Sequence, residues 1–91
     1  MGNNQSKELR LHVIIYTATW CKRCQNLKEL YNNLKNMYCD TYSFNEIDID
    51  DENNISFPDT IPCVYIYNNF GKTILSGQEE IEQSIEMILD S

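Results

Sequence analysis

The sequence predicts an α/β protein in which a four-stranded mixed sheet is flanked by helices. The run LHVIIYT (11–17) is β-branched, aromatic and nearly continuously apolar, as in a central strand covered on both faces. Residues 22–38 place apolar side chains at helical spacing, which is typical of an amphipathic helix. Near the C-terminus two short strand patterns surround an Asn/Gly turn, which favours a hairpin. The predicted order is β-α-β followed by β-β-α.

The other elements follow in chain order. YSFNEIDI (42–49) alternates well enough for a second strand. The acidic stretch from Asp50 to Ile61 is read as a loop with at most one helical turn, and it is close to the minimum length for joining parallel strands. If it does so, we expect a right-handed crossover. CVYIY (63–67) and KTILS (72–76) are the predicted third and fourth strands.

The last predicted helix begins with a capping-box pattern. Ser76 and Glu79 have the spacing at which a side chain caps the helix start and an acidic residue reaches back to it. One face of this helix is apolar and carries Ile81, Ile85, Ile88 and Leu89. We therefore predict that it packs on the sheet.

Length and composition indicate one domain. The chain has 91 residues, of which 1–8 are predicted to form a flexible arm and 9–91 the folded domain. A net charge of −7 with few, unclustered basic residues argues against nucleic-acid binding. The start of the chain lacks the apolar core of a signal peptide, and the longest apolar run is too short to cross a membrane. We therefore expect a cytoplasmic monomer in a reducing compartment.

A short N-terminal motif modifies the expected localisation. Gly2 followed by Ser6 matches the pattern for N-myristoylation. Both residue types are common, so coincidence is the simpler explanation of the match. Because a single myristoyl chain anchors a protein only weakly, membrane association is expected only if Gly2 is acylated.

Cys21 and Cys24 are the residues that indicate chemistry. Their spacing at the predicted helix start puts both sulfurs on one face, within reach of each other. The free N–H groups of a helix start and the charges of Lys22 and Arg23 favour a thiolate there. We expect Cys21 to attack a disulfide and Cys24, on the apolar face, to resolve the mixed disulfide.

Zinc binding and a structural disulfide are two other uses of such a cysteine pair. A zinc site needs four ligands, and the other soft candidates, His12, Cys39 and Cys63, form no second close pair. A purely structural disulfide across so short a loop would restrict the unfolded chain very little. Redox chemistry is favoured, and a zinc-binding module is kept as an alternative.

Residues 11–90 resemble the thioredoxin-fold superfamily. The resemblance is carried by a strand leading into Trp-Cys-x-x-Cys (20–24), then by Thr-Ile-Pro (60–62), a hairpin, a glycine and a final helix. It implies a thiol–disulfide oxidoreductase that serves cell redox homeostasis, acts on disulfide-containing proteins and needs no cofactor beyond its own disulfide. It also implies that Pro62 is cis and faces the cysteines, with the main chain of Ile61 pairing with the substrate.

The chain combines features of two subfamilies. Trp20 and the long hairpin resemble thioredoxin, whereas the short length resembles glutaredoxin. Thioredoxins usually carry Gly-Pro where this chain has Lys22 and Arg23. They also carry a buried Asp where it has Ile15, and the absence of that Asp is expected to slow or re-route resolution. The lysine usually near that Asp corresponds to Glu46.

The resemblance to glutaredoxin raises glutathione as a co-substrate. Glutaredoxins place a lysine where this chain has Ala18, so Lys22, Ile61 and Glu79 or Glu80 are left as candidates for contacting glutathione. The electron donor is therefore either glutathione or a protein reductase.

We expect Trp20 to form a wall of the active site. Cys63 is expected to be a small buried hydrophobe rather than a third redox thiol, and Cys39 a bystander. An alternative from another class is a redox-inactive adaptor that binds a partner in a groove between Trp20 and Pro62.

Overall fold

The computed structural model describes residues 11–50 and 60–90. Its elements are β1 (Leu11–Thr17), α1 (Lys22–Asn26), α2 (Lys28–Tyr38), β2 (Tyr42–Asp48), β3 (Cys63–Asn68), β4 (Gly71–Ser76) and α3 (Gln78–Leu89). The predicted mixed sheet with flanking helices is confirmed. The predicted arm 1–8, the lipidation motif at Gly2 and the loop at 51–59 lie outside the described residues. Within those residues, no helix is long and apolar enough to cross a membrane.

The sheet has the strand order β2-β1-β3-β4. β1 is parallel to β2 and antiparallel to β3, and β3 and β4 form the predicted antiparallel hairpin. β3 therefore runs opposite to β2, so the connection after Asp50 does not join parallel strands and the condition for a right-handed crossover there is not met. The parallel pair is β1 and β2, which are joined through α1 and α2. Connection length limits which strands can be joined, but it does not set their direction.

One face of the sheet packs against the helices. Val13 and Ile15 on β1 and Val64 and Ile66 on β3 are fully buried, and alternation along each strand puts all four on the same face. The helices supply the other side of this core with residues at helical spacing, Leu27, Tyr31, Leu34, Ile81, Ile85 and Leu89. Each such side chain contributes about 1.5–3 kcal/mol when fully buried. The apolar face predicted for the last helix is the face that packs.

The helix predicted over 22–38 is divided at Leu27. The N–H of Leu27 donates to the carbonyl of Cys24 at 3.1 Å, a three-residue bond that tightens the turn, before Tyr31 N–H resumes the four-residue pattern on Leu27. The prediction of one uninterrupted helix is therefore wrong. The segment contains neither proline nor glycine, so its sequence carries no signal for the break.

The predicted capping box at the last helix is also wrong. The N-cap of α3 is Gly77, with φ +92°, and no side chain caps this end of the helix. Ser76 is instead the last residue of β4, where it pairs with Cys63. Gly77 adopts the positive φ that side-chain-bearing residues rarely tolerate, and its N–H donates to the carbonyl of Pro62 at 2.9 Å. The start of α3 is thereby attached to the segment before β3.

Glu46 links β2 to α2 through two lysines. Its carboxylate accepts hydrogen bonds from Lys28 Nζ at 3.3 Å and Lys35 Nζ at 3.2 Å. Partial burial by itself would raise the pKa of Glu46, but the hydrogen bond from Lys35 and the charge of Lys28 outweigh it and lower the pKa below its ordinary value of 4.5. The contact therefore stabilises the ionised carboxylate in the folded protein.

Glu46→Gln is expected to lower the free energy of unfolding at neutral pH by about 1 kcal/mol, the upper range for partly exposed pairs. Because folding lowers the pKa, the stabilisation is fully present above the unfolded value of 4.5 and is lost as pH falls through the folded value. Urea unfolding of both proteins between pH 7 and pH 3 checks this. In a Lys28→Met/Lys35→Met background the pH dependence should disappear or reverse, because burial alone raises the pKa of Glu46. A pH-independent difference in the native background would contradict the assignment.

Candidate active site

Cys21 and Cys24 lie at the start of α1, just after the turn that follows β1. After Thr17 the chain turns, and the N–H of Cys21 donates to the carbonyl of Ala18 at 3.1 Å. Cys21 is the N-cap of α1 with extended backbone angles, and Cys24 follows one turn later. The two are joined by a disulfide, with their Cα atoms 5.2 Å apart. The predicted pair is therefore assembled at the helix start.

The two sulfurs differ in their surroundings. Cys21 is 7% exposed, whereas Cys24 is fully buried. The N–H of Cys24 donates to the Sγ of Cys21 at 3.1 Å, so the first sulfur takes the place that a side-chain oxygen has in an ordinary N-cap. After reduction the same N–H is placed to stabilise a thiolate on Cys21. The geometry favours Cys21 as the nucleophile.

Lys22 and Arg23 occupy the two positions between the cysteines, and both are exposed. In a chain with a net charge of −7, they place positive charge directly beside the dithiol. Their exposure means that solvent screens this charge, so its effect on the thiolate is modest.

The cysteines share a small apolar cluster with residues from two other parts of the chain. Ala18 is buried with them, and Ile49 and Ile61 pack against the cluster. Ile49 follows β2 and is held by a hydrogen bond from its N–H to the carbonyl of Thr17 at 2.9 Å. Sequence reasoning did not single out Ile49, although it is the last apolar residue of the alternating segment 42–49. Register between β1 and β2 brings it to the site.

Ile61, the residue before Pro62, packs against the cysteine cluster. The peptide bond between Ile61 and Pro62 is cis, and Pro62 is buried. The structure thus brings Ile61 to the dithiol. Trp20, directly before Cys21, is 66% exposed, so most of its ring is available to a partner surface.

The two remaining cysteines, Cys39 and Cys63, are not disulfide-bonded. Cys63 is fully buried, and burial raises the pKa of its thiol even though hydrogen bonds with Ser76 and the backbone of Val64 act in the opposite direction. A buried neutral thiol is a poor nucleophile. Cys39 is exposed at the end of α2, with its Sγ 3.8 Å from the carbonyl of Asn36. In the described part of the chain, His, Cys, Asp and Glu side chains form no group of three that could hold a metal.

A groove of about 590 Å³ lies between α1, the helix that carries Cys24, and the start of α3. Its lining includes Arg23 from α1 and, across from it, a run of residues that begins at the end of β4, namely Ser76, Gly77, Gln78, Glu79, Glu80 and Glu82. Glu79 and Glu80 are the residues that the sequence left as candidates for contacting glutathione. The sequence analysis did not assign Gln78 and Glu82 to the site, because only the fold brings α3 next to α1.

A family model described as thioredoxin matches residues 3–90. The chain belongs to the thioredoxin family. It is 30% identical over 87 residues to thioredoxin of Gallus gallus, covering 88% of this chain and 81% of that protein. It is 29% identical over 85 residues to thioredoxin of Mus musculus, covering 84% and 77%.

Solved structures of low sequence identity share the fold. Oxidised mitochondrial thioredoxin 3 of Saccharomyces cerevisiae superposes with a TM-score of 0.74 at 19% identity, covering 88% of this chain and 76% of that one. Deadhead, a germline-specific thioredoxin of Drosophila melanogaster, gives 0.73 at 18% identity, covering 92% and 84%. Family membership together with the Cys21–Cys24 disulfide makes this protein a thiol–disulfide oxidoreductase whose redox group is its own disulfide. The thioredoxin family acts on disulfide-containing protein substrates.

Replacing Lys22 and Arg23 by Gln is expected to reduce the thiolate fraction of Cys21 at pH 7 by about two- to fivefold, as for two exposed charges. Both side chains are solvated, so the loss is electrostatic and should shrink at high salt. The rate of iodoacetamide alkylation of Cys21 against pH measures it. Lys72→Gln, on the distant strand β4, is the matched control and should leave the rate unchanged. An unaltered profile in the double variant would show that these charges do not act on the thiolate.

Proposed function

We propose that this thioredoxin-family protein reduces protein disulfides in two exchange steps. The thiolate of Cys21 attacks one sulfur of the substrate disulfide, and a mixed disulfide forms as the other substrate sulfur leaves and takes a proton. Cys24 then loses its proton and attacks the Sγ of Cys21, which forms the Cys21–Cys24 disulfide and releases the second substrate thiol. Two electrons pass from the protein to the substrate. The reverse sequence oxidises a dithiol.

The observation that carries the assignment of roles is the hydrogen bond from Cys24 N–H to the Sγ of Cys21. Of the two sulfurs, the first receives this stabilisation, and of the two residues only Cys21 keeps any exposed surface. Cys24 is enclosed by the apolar cluster, so it is reached by the Sγ of Cys21 and not by a protein substrate. Attack by Cys21 and resolution by Cys24 follow from this difference.

Resolution is proposed to be the slower step. Ile15 is fully buried at the position where thioredoxins usually carry an aspartate that accepts the proton of the second cysteine. The residues that surround Cys24 in its cluster are apolar, so forming its thiolate requires desolvating the charge. The mixed disulfide is therefore expected to be long-lived.

Substrate docking is proposed to use the exposed ring of Trp20 and the main chain of Ile61. Supporting this, Ile61 packs against the cysteine cluster and Trp20 directly precedes Cys21. Electrons are proposed to come from a protein reductase, in keeping with the family, and glutathione is the second candidate.

Cys21→Ser is expected to abolish reduction of a disulfide-containing protein such as insulin, with dithiothreitol as electron source. Cys24→Ser should instead accumulate a mixed disulfide on Cys21, since the resolving thiol is missing. Insulin turbidity and intact mass of the trapped adduct are the measurements. Cys39→Ser, at an exposed cysteine outside the site, should retain full activity. Unchanged biological activity of Cys21→Ser in cells would favour the redox-inactive adaptor.

The oxidised protein is expected to be reduced at least tenfold faster by NADPH with a thioredoxin reductase than by millimolar glutathione. The physical reason is that the glutaredoxin position for a lysine holds Ala18, which offers no charge to a glutathione carboxylate. Free thiols counted by mass after timed quenching give both rates. Faster reduction by glutathione, with an adduct persisting on Cys21, would establish the glutaredoxin alternative.

A further inference from the structure

The groove between α1 and the start of α3 has an uneven distribution of charge. Arg23, one residue before Cys24, supplies the positive charge of its lining. The opposite wall, formed by the first turns of α3, carries the carboxylates of Glu79, Glu80 and Glu82. Three carboxylates against one guanidinium leave the groove with a negative balance. Because Arg23 lies between the two cysteines in the chain, the groove adjoins the helix that carries the dithiol.

Among the described residues, no basic side chain forms an ion pair with these carboxylates. In the described ranges 11–50 and 60–90, the side-chain ion pairs are those of Glu46 with Lys28 and Lys35, on the far side of α2 from the groove. Glu79 and Glu80 are exposed. Their charge is therefore available to whatever enters the groove, and its effect is limited mainly by solvent and salt.

A chain of hydrogen bonds holds the acidic wall in a fixed position relative to the dithiol helix. Asn26 Nδ2 at the end of α1 donates to Gln78 Oε1 at 3.3 Å, and Gln78 Nε2 donates to Glu82 Oε2 at 3.0 Å. The N–H of Gly77 donates to the carbonyl of Pro62, so the same turn is tied to the Ile61–Pro62 segment. The acidic residues are thus placed by contacts with both sides of the active site, unlike the charges of an independent surface helix.

We propose that the groove makes the enzyme selective for disulfides in basic peptide segments and unfavourable for glutathione disulfide. The inference rests on the proposed disulfide reductase function and names its substrate class. Lysine or arginine residues close to the substrate cysteine meet Glu79, Glu80 and Glu82 while the mixed disulfide forms on Cys21. Glutathione carries one more carboxylate than ammonium, so the same wall repels it. Arg23 moderates the preference because it offers one site for a carboxylate.

The test compares two disulfide-bonded peptides that share one sequence except for lysine or glutamate on both sides of the cysteine. The fully reduced protein is mixed with each peptide in a single turnover, so no reductase or donor contributes, and second-order rates are read from quenched samples by mass. The lysine peptide is expected to react about tenfold faster at low ionic strength. The ratio should fall towards one as salt is raised, because the carboxylates are solvated.

A Glu79→Gln/Glu80→Gln/Glu82→Gln variant assigns the effect to the groove. It should reduce the ratio about five- to tenfold, from roughly twofold per exposed charge, and should react faster than the parent protein with glutathione disulfide. Glu29→Gln, on the exposed face of α2 outside the groove, removes one carboxylate as a control and should leave the ratio unchanged.

The outcomes separate this inference from the function on which it rests. Equal rates for the two peptides at low salt, or a ratio that survives in the triple variant, would overturn the charge selectivity while leaving the reductase function intact. No reduction of either peptide by the parent protein would refute the reductase function itself. A Glu79→Gln single variant, expected to lower the ratio about twofold, tests the inference even if the triple variant folds poorly.

Discussion

The active site depends on the central strand β1 being held on both edges. β2 and β3 pair with β1 along nearly its whole length, so its last residue, Thr17, has a fixed position. From that point, two backbone hydrogen bonds shape the site: Ile49 N–H to the carbonyl of Thr17, and Cys21 N–H to the carbonyl of Ala18. Cys21 becomes the helix N-cap as a consequence. The difference between the surroundings of Cys21 and Cys24 therefore depends on the sheet as well as on the helix.

Electrostatics around the dithiol act over two distances. Lys22 and Arg23 are close to the sulfur that ionises, and they favour its thiolate within a chain whose net charge is −7. The negative field of the rest of the molecule acts at longer range and steers basic partners toward it. The two effects partly oppose each other, because the positive charges that favour the Cys21 thiolate also weaken the attraction of a basic substrate.

At Ile15 and Glu46 the chain differs in charge from a typical thioredoxin, and the structure shows which residues Glu46 contacts instead. Register places Glu46 directly beside Ile15, so a carboxylate is present near the usual aspartate position but one strand away. Lys28 and Lys35 neutralise it there, which leaves it stabilising the attachment of α2. The hydroxyl of Tyr31 is buried without a hydrogen-bond partner among the described residues, and burial followed by the charge of Glu46 raises its pKa, so it stays protonated.

The sequence by itself determined the elements and the chemistry. A continuous apolar run, an alternating segment and two short strand patterns around an Asn/Gly turn located four strands, and helical spacing located the apolar face of the last helix. Spacing alone placed Cys21 and Cys24 on one helical face. The tertiary structure decided the direction of β3, the break at Leu27, the cap at Gly77 and the meeting of Arg23 with the acidic start of α3. Each of these depends on contacts between segments distant in the chain, and no local pattern records which segments will meet.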